Sequence, residues 1–166
     1  SGRGAADLPG GEPMMDLLGR CLLLAGCTAL GLARGMALKE RTSCLNEFQR
    51  CFSRLIRELT FSLRHLPDLV ADLRARGPAG DFFTACRESV EETWTDRWQT
   101  ALDSVDLPLK EEDRQVLREM GEVLGRYDGE SQSQALEGLL ARLGENRNQA
   151  KSDEDRLFRV YLALGV

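Results

Sequence analysis

Apolar residues along the chain form one nearly unbroken block followed by a series of helical stripes. From Leu17 to Ala33 only Arg20 and Thr28 interrupt the block. Its 17 residues make about 25 Å of helix, and extension to Leu38 reaches the thickness of a hydrocarbon core, with Arg20 and Arg34 snorkelling to opposite interfaces. The pattern predicts a transmembrane anchor over residues 14–38. Gly31 and Gly35 give it a small-x-x-x-small spacing that lets another helix approach closely. Two other readings fit the same block: a core helix of a soluble protein, and a lipoprotein signal in which Leu24-Ala25-Gly26 precedes a lipidated Cys27. The short apolar stretch before Gly26 and the hydrophobicity that runs on past Cys27 speak against the signal.

Leu45, Phe48, Phe52, Leu55, Leu59, Leu63 and Leu66 then step by three and four, the apolar face of a long amphipathic helix. Pro67 ends it and suits the first turn of a short helix, Asp68 to Arg76, closed by Gly77-Pro78. Asp81 is expected to cap a helix bearing Phe82, Phe83, Cys86 and Val90. Thr93 or Thr95 starts the next, with Trp98, Ala101 and Leu102. After a break at Leu107-Pro108-Leu109, the acids Glu111, Glu112 and Asp113 load the first turn of a helix carrying Val116, Leu117, Met120, Val123 and Leu124. Asp128-Gly129 turns the chain into a last helix from about Glu130 to Leu164. The middle of that helix, Gly144 to Arg156, is almost wholly polar, so it faces water on all sides, frays, or lies along a partner. Leu157 to Val166 become apolar again, either the start of a second hydrophobic segment or a short packing end. Residues 1–13 carry four glycines and two prolines and read as a disordered leader, leaving 39–166 as one helical domain.

Composition agrees with that count of helices. Aromatic residues are only 6% of the 166, and Leu, Arg, Glu and Ala dominate, which predicts an all-α fold. The net charge of -5 argues against a nucleic-acid partner, which would need many cations to neutralise phosphates. Charge is unevenly placed: residues 38–76 hold eight Lys and Arg against five acids, whereas 77–166 hold eleven against nineteen. With the basic part directly after the anchor, the carboxy-terminal side is expected to be cytoplasmic. Arg50, Arg54, Arg57 and Arg64 fall mostly off the apolar stripe and read as a solvated face. Cys44 and Cys51 lie two turns apart on one helix, too far to bridge, and read as small buried hydrophobes of a reducing compartment.

Catalytic patterns are missing. His65 is the one histidine, and the Pro67 that follows puts it at a helix end, so a nucleophile–His pair could be built only there. Gly121 and Gly125 have helical Gly-x-x-x-Gly spacing with no Lys-Ser/Thr after them, which suits close helix packing rather than phosphate binding. No cysteine pair has metal-ligand spacing. No cofactor, metal or small-molecule substrate is expected, and the chain does not read as an enzyme.

The order of these pieces resembles the stage III sporulation protein AB family of endospore-forming bacteria. The matching residues are Gly26 and Gly31 in the anchor; Leu55, Ile56 and Glu58 in the long helix; Pro67; Phe82-Phe83; Trp98 before Ala101-Leu102; Leu124-Gly125-x-x-Asp128-x-x-x-Gln132; and Arg156-Leu157-Phe158. The resemblance covers roughly residues 16–166. It implies an antiparallel helical bundle similar to the platform (F) domain of type II secretion systems, with a hydrophobic segment at each end. It also implies residence in the mother-cell membrane (the outer forespore membrane), with the helical domain cytoplasmic. The implied work is non-enzymatic scaffolding in the channel complex between mother cell and forespore, beside the stage III sporulation AA ATPase and the other stage III sporulation A proteins. The chain departs from the pattern in Leu59-Thr60-Phe61 where Tyr-Gly is common, in Leu63 to Leu66, and in a second apolar segment that stops short.

Glu58, Trp98, Leu124, Gly125, Asp128 and Gln132 are therefore the candidate interaction or structural motif, Asp128 as a cap and Gln132 as a partner for nearby backbone. A reading from another class makes the protein a soluble signalling or adaptor module with His65 as phosphoacceptor.

Overall fold

The computed structural model describes residues 11–62, 64–126 and 129–165. The chain divides into two compact units, Ser1–Met36 and Ala37–Val166. Six helices and no strand occur among the described residues: α1 (Glu12–Phe61), α2 (Leu66–Ala71), α3 (Gly77–Glu88), α4 (Trp94–Ser104), α5 (Glu111–Leu124) and α6 (Gly129–Ala163). α1 carries both the expected anchor and the amphipathic stripe, and its start at Glu12 reaches two residues into the expected leader.

In the first unit every large apolar side chain from Met14 to Met36 is exposed, from Leu18 at 61% to Met15 at 76%. The span is long and apolar enough to cross a membrane, with a mean hydropathy of 1.7 over its best window and none of that window buried. A soluble core helix would be covered instead, so this surface contradicts that reading.

The second unit is organised by the stripe on α1. Cys44, Leu45, Phe48, Cys51, Phe52, Leu55 and Ile56 are buried on one face of it. Phe48 and Phe52 meet Phe82 and Phe83 of α3 and Trp98 of α4 in an aromatic cluster, with centroids 5.5 Å apart for Phe48–Phe82 and 4.9 Å for Phe82–Trp98, both edge to face. α6 runs antiparallel to α1. Thr60 Oγ1 lies 3.4 Å from Ser133 Oγ, Arg147 donates to Asn46 Oδ1 at 3.1 Å, and a Cβ on Gly144 would lie 3.1 Å from Gln49 Nε2. Each step up α1 is matched by an equal step back along α6. The polar stretch from Gly144 to Arg156 thus lies along α1 of the same chain, with Leu143 and Ala150, seven residues apart, fully buried. It does not face water on all sides.

Between α1 and α3 the chain departs from expectation. The expected helix from Asp68 to Arg76 is only Leu66–Ala71, and Gly77-Pro78 opens α3 instead of closing α2. Long-range bonds are the reason. Arg50 Nη2 donates to Arg74 O at 2.8 Å, and Glu47, paired with Arg50, accepts the Arg76 N–H at 3.0 Å, so the linker's backbone groups are bound by α1 rather than by their own helix. Gly77 has φ 63°, a left-handed conformation that side chains disfavour, and with Pro78 it sets the start of α3. The cap is Arg76, so Asp81 lies inside the helix, and Val90 is 93% exposed rather than on its apolar face. Thr93 does cap α4, its hydroxyl accepting from Asp96 N at 3.1 Å.

All five cysteines are free; Cys44, Cys51 and Cys86 are buried, Cys21 and Cys27 exposed. Burial pushes the Cys44 and Cys86 thiols up to about 12 and raises Cys51 as well. Thiolate is the reactive form, so these three should resist maleimide at neutral pH in the native protein and react when it is unfolded in urea. Rapid native labelling of Cys86 by mass spectrometry would contradict the packing described.

Among the described residues three carboxyls are held below the ordinary glutamate range. Arg50 does this to Glu47, Arg118 to Glu111 and Arg142 to Glu119, in each case chiefly through a side-chain hydrogen bond. A depressed folded pKa gives stability that is present above the unfolded value of about 4.3 and is lost as pH falls through the folded one. The urea midpoint should therefore hold down to about pH 5 and decline below it. Arg142→Ala, which removes the 2.6 Å bond from α6 to Glu119 of α5, should flatten that decline. A midpoint insensitive to acid would contradict these pairings.

Candidate functional site

The candidate motif gathers at the carboxy-terminal end of α5. Trp98 of α4 is fully buried, and its indole N–H donates to Leu117 O of α5 at 2.7 Å. Such an approach needs bare backbone opposite. A Cβ on Gly121 would lie 2.2 Å from Trp98 Cδ1, and one on Gly125 would lie 2.3 Å from Thr95 Oγ1. The Gly-x-x-x-Gly spacing is accordingly a seat for α4, one glycine under Trp98 and the next under Thr95. The close packing expected of these glycines is what they do.

Leu124 is buried and Gly125 is the C-cap of α5. Gln132 of α6 turns back and donates through Nε2 to Val123 O at 3.0 Å, with a longer approach of 3.4 Å to Leu124 O. Val123 O also accepts the Arg126 N–H at 3.2 Å, so Gln132 adds a second donor at the end of α5. Asp128 lies outside the described residues. Gln132→Ala should cost about 1 kcal/mol and lower the melting temperature by roughly 3–5 °C; an unchanged melt would mean that water caps α5 equally well.

Beside this junction is a groove of about 550 Å³ between the end of α1, the start of α2, the start of α4 and the end of α5. Its apolar lining comes from Leu59, Leu66, Pro67, Trp94 and Leu124, and Gly125 and Gln132 also border it. Among the described residues its charged lining is Arg64, Arg97, Arg126 and Glu92. Arg64 donates to Asp72 at 2.6 Å, and that bond raises its pKa further. Glu58 stands behind this rim, 2.9 Å from Arg54 and 4.0 Å from Arg64. The motif thus splits: Leu124, Gly125 and Gln132 reach the groove, Glu58 touches it only through Arg64, and Trp98 lies beneath in the core.

His65 also borders the groove, as the exposed N-cap of α2, with its carbonyl accepting from Leu69 N at 3.2 Å. No group of three or more His, Cys, Asp or Glu placed to hold a metal occurs among the described residues. Gly31 and Gly35 lie one turn apart on α1, in the first unit.

A second polar constellation was not read from the sequence. Arg41 is 4% exposed and Asp113 fully buried. Arg41 Nε donates to Asp113 Oδ2 at 2.7 Å and Nη2 to Oδ1 at 3.0 Å, a two-pronged pair joining α1 to the first turn of α5. Asp113 also accepts the Lys110 N–H at 3.0 Å, so one carboxylate closes the helix start and neutralises the guanidinium. That bond to Asp113 raises the pKa of Arg41. The sequence placed both residues correctly by local rules, Asp113 as a first-turn acid and Arg41 within a basic boundary. Their separation of 72 positions hid the pairing. Arg41 is consequently unavailable as a surface charge, and Arg50, Arg54 and Arg64 are exposed but bound to acids, as a solvated face would be.

A family model described as stage III sporulation protein AB matches residues 16–166. A solved structure titled "Stage III sporulation protein AB (SpoIIIAB)" has a TM-score of 0.60 at 20% identity, covering 70% of this chain and 98% of its own; the likeness is one of fold. No curated protein matches the chain.

Proposed function

The chain belongs to the stage III sporulation protein AB family, and from that premise we propose that it is a membrane-anchored, non-enzymatic platform in the channel complex between mother cell and forespore. The observation that carries this reading is the uncovered apolar surface from Met14 to Met36, on the same helix as the stripe that organises a packed helical domain. An anchor of that kind holds the domain at a membrane surface, where its work is to position other proteins. In this reading the domain lies on the cytoplasmic side of the mother-cell membrane. Its partners are the stage III sporulation AA ATPase and the other stage III sporulation A proteins. The absence of a chemical role is supported by what the polar side chains are already doing: Arg41, Asp113, Trp98 and Gln132 are all committed to holding helices together.

The test is reconstitution of the full chain in nanodiscs with the purified ATPase. Comigration on size exclusion, retained at physiological salt, is the expected result. A chain that never retains the ATPase, alone or with the other complex members, would overturn the platform reading. Asp128→Ala in the same assay separates docking from architecture, since lost comigration at an unchanged melting temperature assigns that residue to the partner.

A further inference from the structure

We infer that the groove beside α5 receives an acidic segment of a partner protein that presents at least one large apolar side chain. Among the described residues Arg97 and Arg126 line it against Glu92, with Arg64 beside them already paired with Asp72, so the unpaired side-chain charge on the groove is cationic in a protein whose net charge is -5. Arg97 is set in place by its Nε bond to Glu91 O at 2.7 Å, and its remaining N–H groups have no acceptor among the described residues. The same groove is lined by Leu59, Leu66, Trp94 and Leu124, apolar surface that a flexible acidic tail alone would leave uncovered. A space of about 550 Å³ suits a few inserted side chains rather than a broad flat contact.

The apolar lining favours a protein occupant over lipid headgroups, because a headgroup phosphate would leave Leu59, Leu66, Trp94 and Leu124 unfilled. The inference rests on the platform reading for its occupant's being a protein, and on the groove alone for that protein's chemistry.

The full chain in phosphatidylcholine nanodiscs is titrated with a fluorescein-labelled peptide of alternating Glu and Leu with one Trp, and with its Lys-for-Glu counterpart. The acidic peptide should bind and the basic one should not, with affinity falling severalfold between low and physiological salt. Arg97→Gln with Arg126→Gln should weaken binding at least tenfold. Glu92→Gln should strengthen it several-fold, a gain that impaired folding cannot mimic. Equal binding of both peptides, indifference to all these substitutions, or displacement of the peptide by phosphatidylglycerol in the discs would overturn the inference. So would a change in self-association that tracks the arginine substitutions, which would make the occupant a second copy. Charge-selective binding without ATPase comigration supports the groove's chemistry while the platform reading fails; comigration with no charge-selective binding overturns the groove and leaves the platform.

Discussion

Replacing Asp113 by Ala should destabilise the helical domain by about 3–5 kcal/mol, because it strands a buried guanidinium. Arg41 is 4% exposed, and its Nη1 has no acceptor among the described residues even with Asp113 present. The remaining neighbour, Glu112, lies 3.6 Å from Nη2 on a side chain that is 63% exposed, too solvated to stand in for Asp113. The loss includes the Lys110 N–H, which the carboxylate also satisfies. Arg41→Met combined with Asp113→Leu should recover most of it, since an apolar pair of similar volume has no charge to desolvate, leaving a deficit of about 1 kcal/mol from the uncapped helix. Both tryptophans of the chain, Trp94 and Trp98, belong to this domain, so urea unfolding followed by their fluorescence reads it selectively. A cost below about 1 kcal/mol for Asp113→Ala would mean that water reaches the pair and that it behaves as a surface bridge.

Gly121→Ala should also be strongly destabilising, and only while Trp98 is present. A methyl group 2.2 Å from Trp98 Cδ1 cannot be accommodated without moving the indole, and overpacking of this kind costs about 1–3 kcal/mol. Trp98→Ala alone should cost about 3–5 kcal/mol, because it removes the centre of the aromatic cluster and its bond to Leu117 O. In that background the sign for Gly121→Ala reverses. Alanine is favoured over glycine inside a helix by about 1 kcal/mol, and the three nearest obstructing atoms leave with the indole. The two substitutions are therefore expected to couple by well over 1 kcal/mol, and additive costs would show that the indole does not rest on Gly121.

What could be read from the sequence follows from where the determining interactions lie. The stripe on α1, the Thr93 cap and the Gly121–Gly125 seat depend on spacings of three and four, so a single strand of text carries them. The linker after α2 could not be read that way, because Glu47 and Arg50, some 24 to 29 positions upstream, hold Arg74 and Arg76 out of helix. The polar half of α6 was obscure for a related reason. Its burial relies on Ala150, a small side chain that adds little to an apolar pattern, on a hydrogen bond to Asn46 and on the close approach of Gly144 to the Gln49 side chain of α1. The groove was legible only in part. Leu124, Gly125 and Gln132 were singled out, whereas Trp94, Arg97 and Arg126 joined them only once α4 and α5 were brought side by side.

Alkaline carbonate extraction of membranes from cells expressing the full chain tests most directly whether the first unit anchors the packed second one in a membrane. The intact polypeptide is predicted to stay in the pellet and to be released only by detergent, because the side chains from Met14 to Met36 have no protein cover. Recovery of the intact chain in the carbonate supernatant would contradict it.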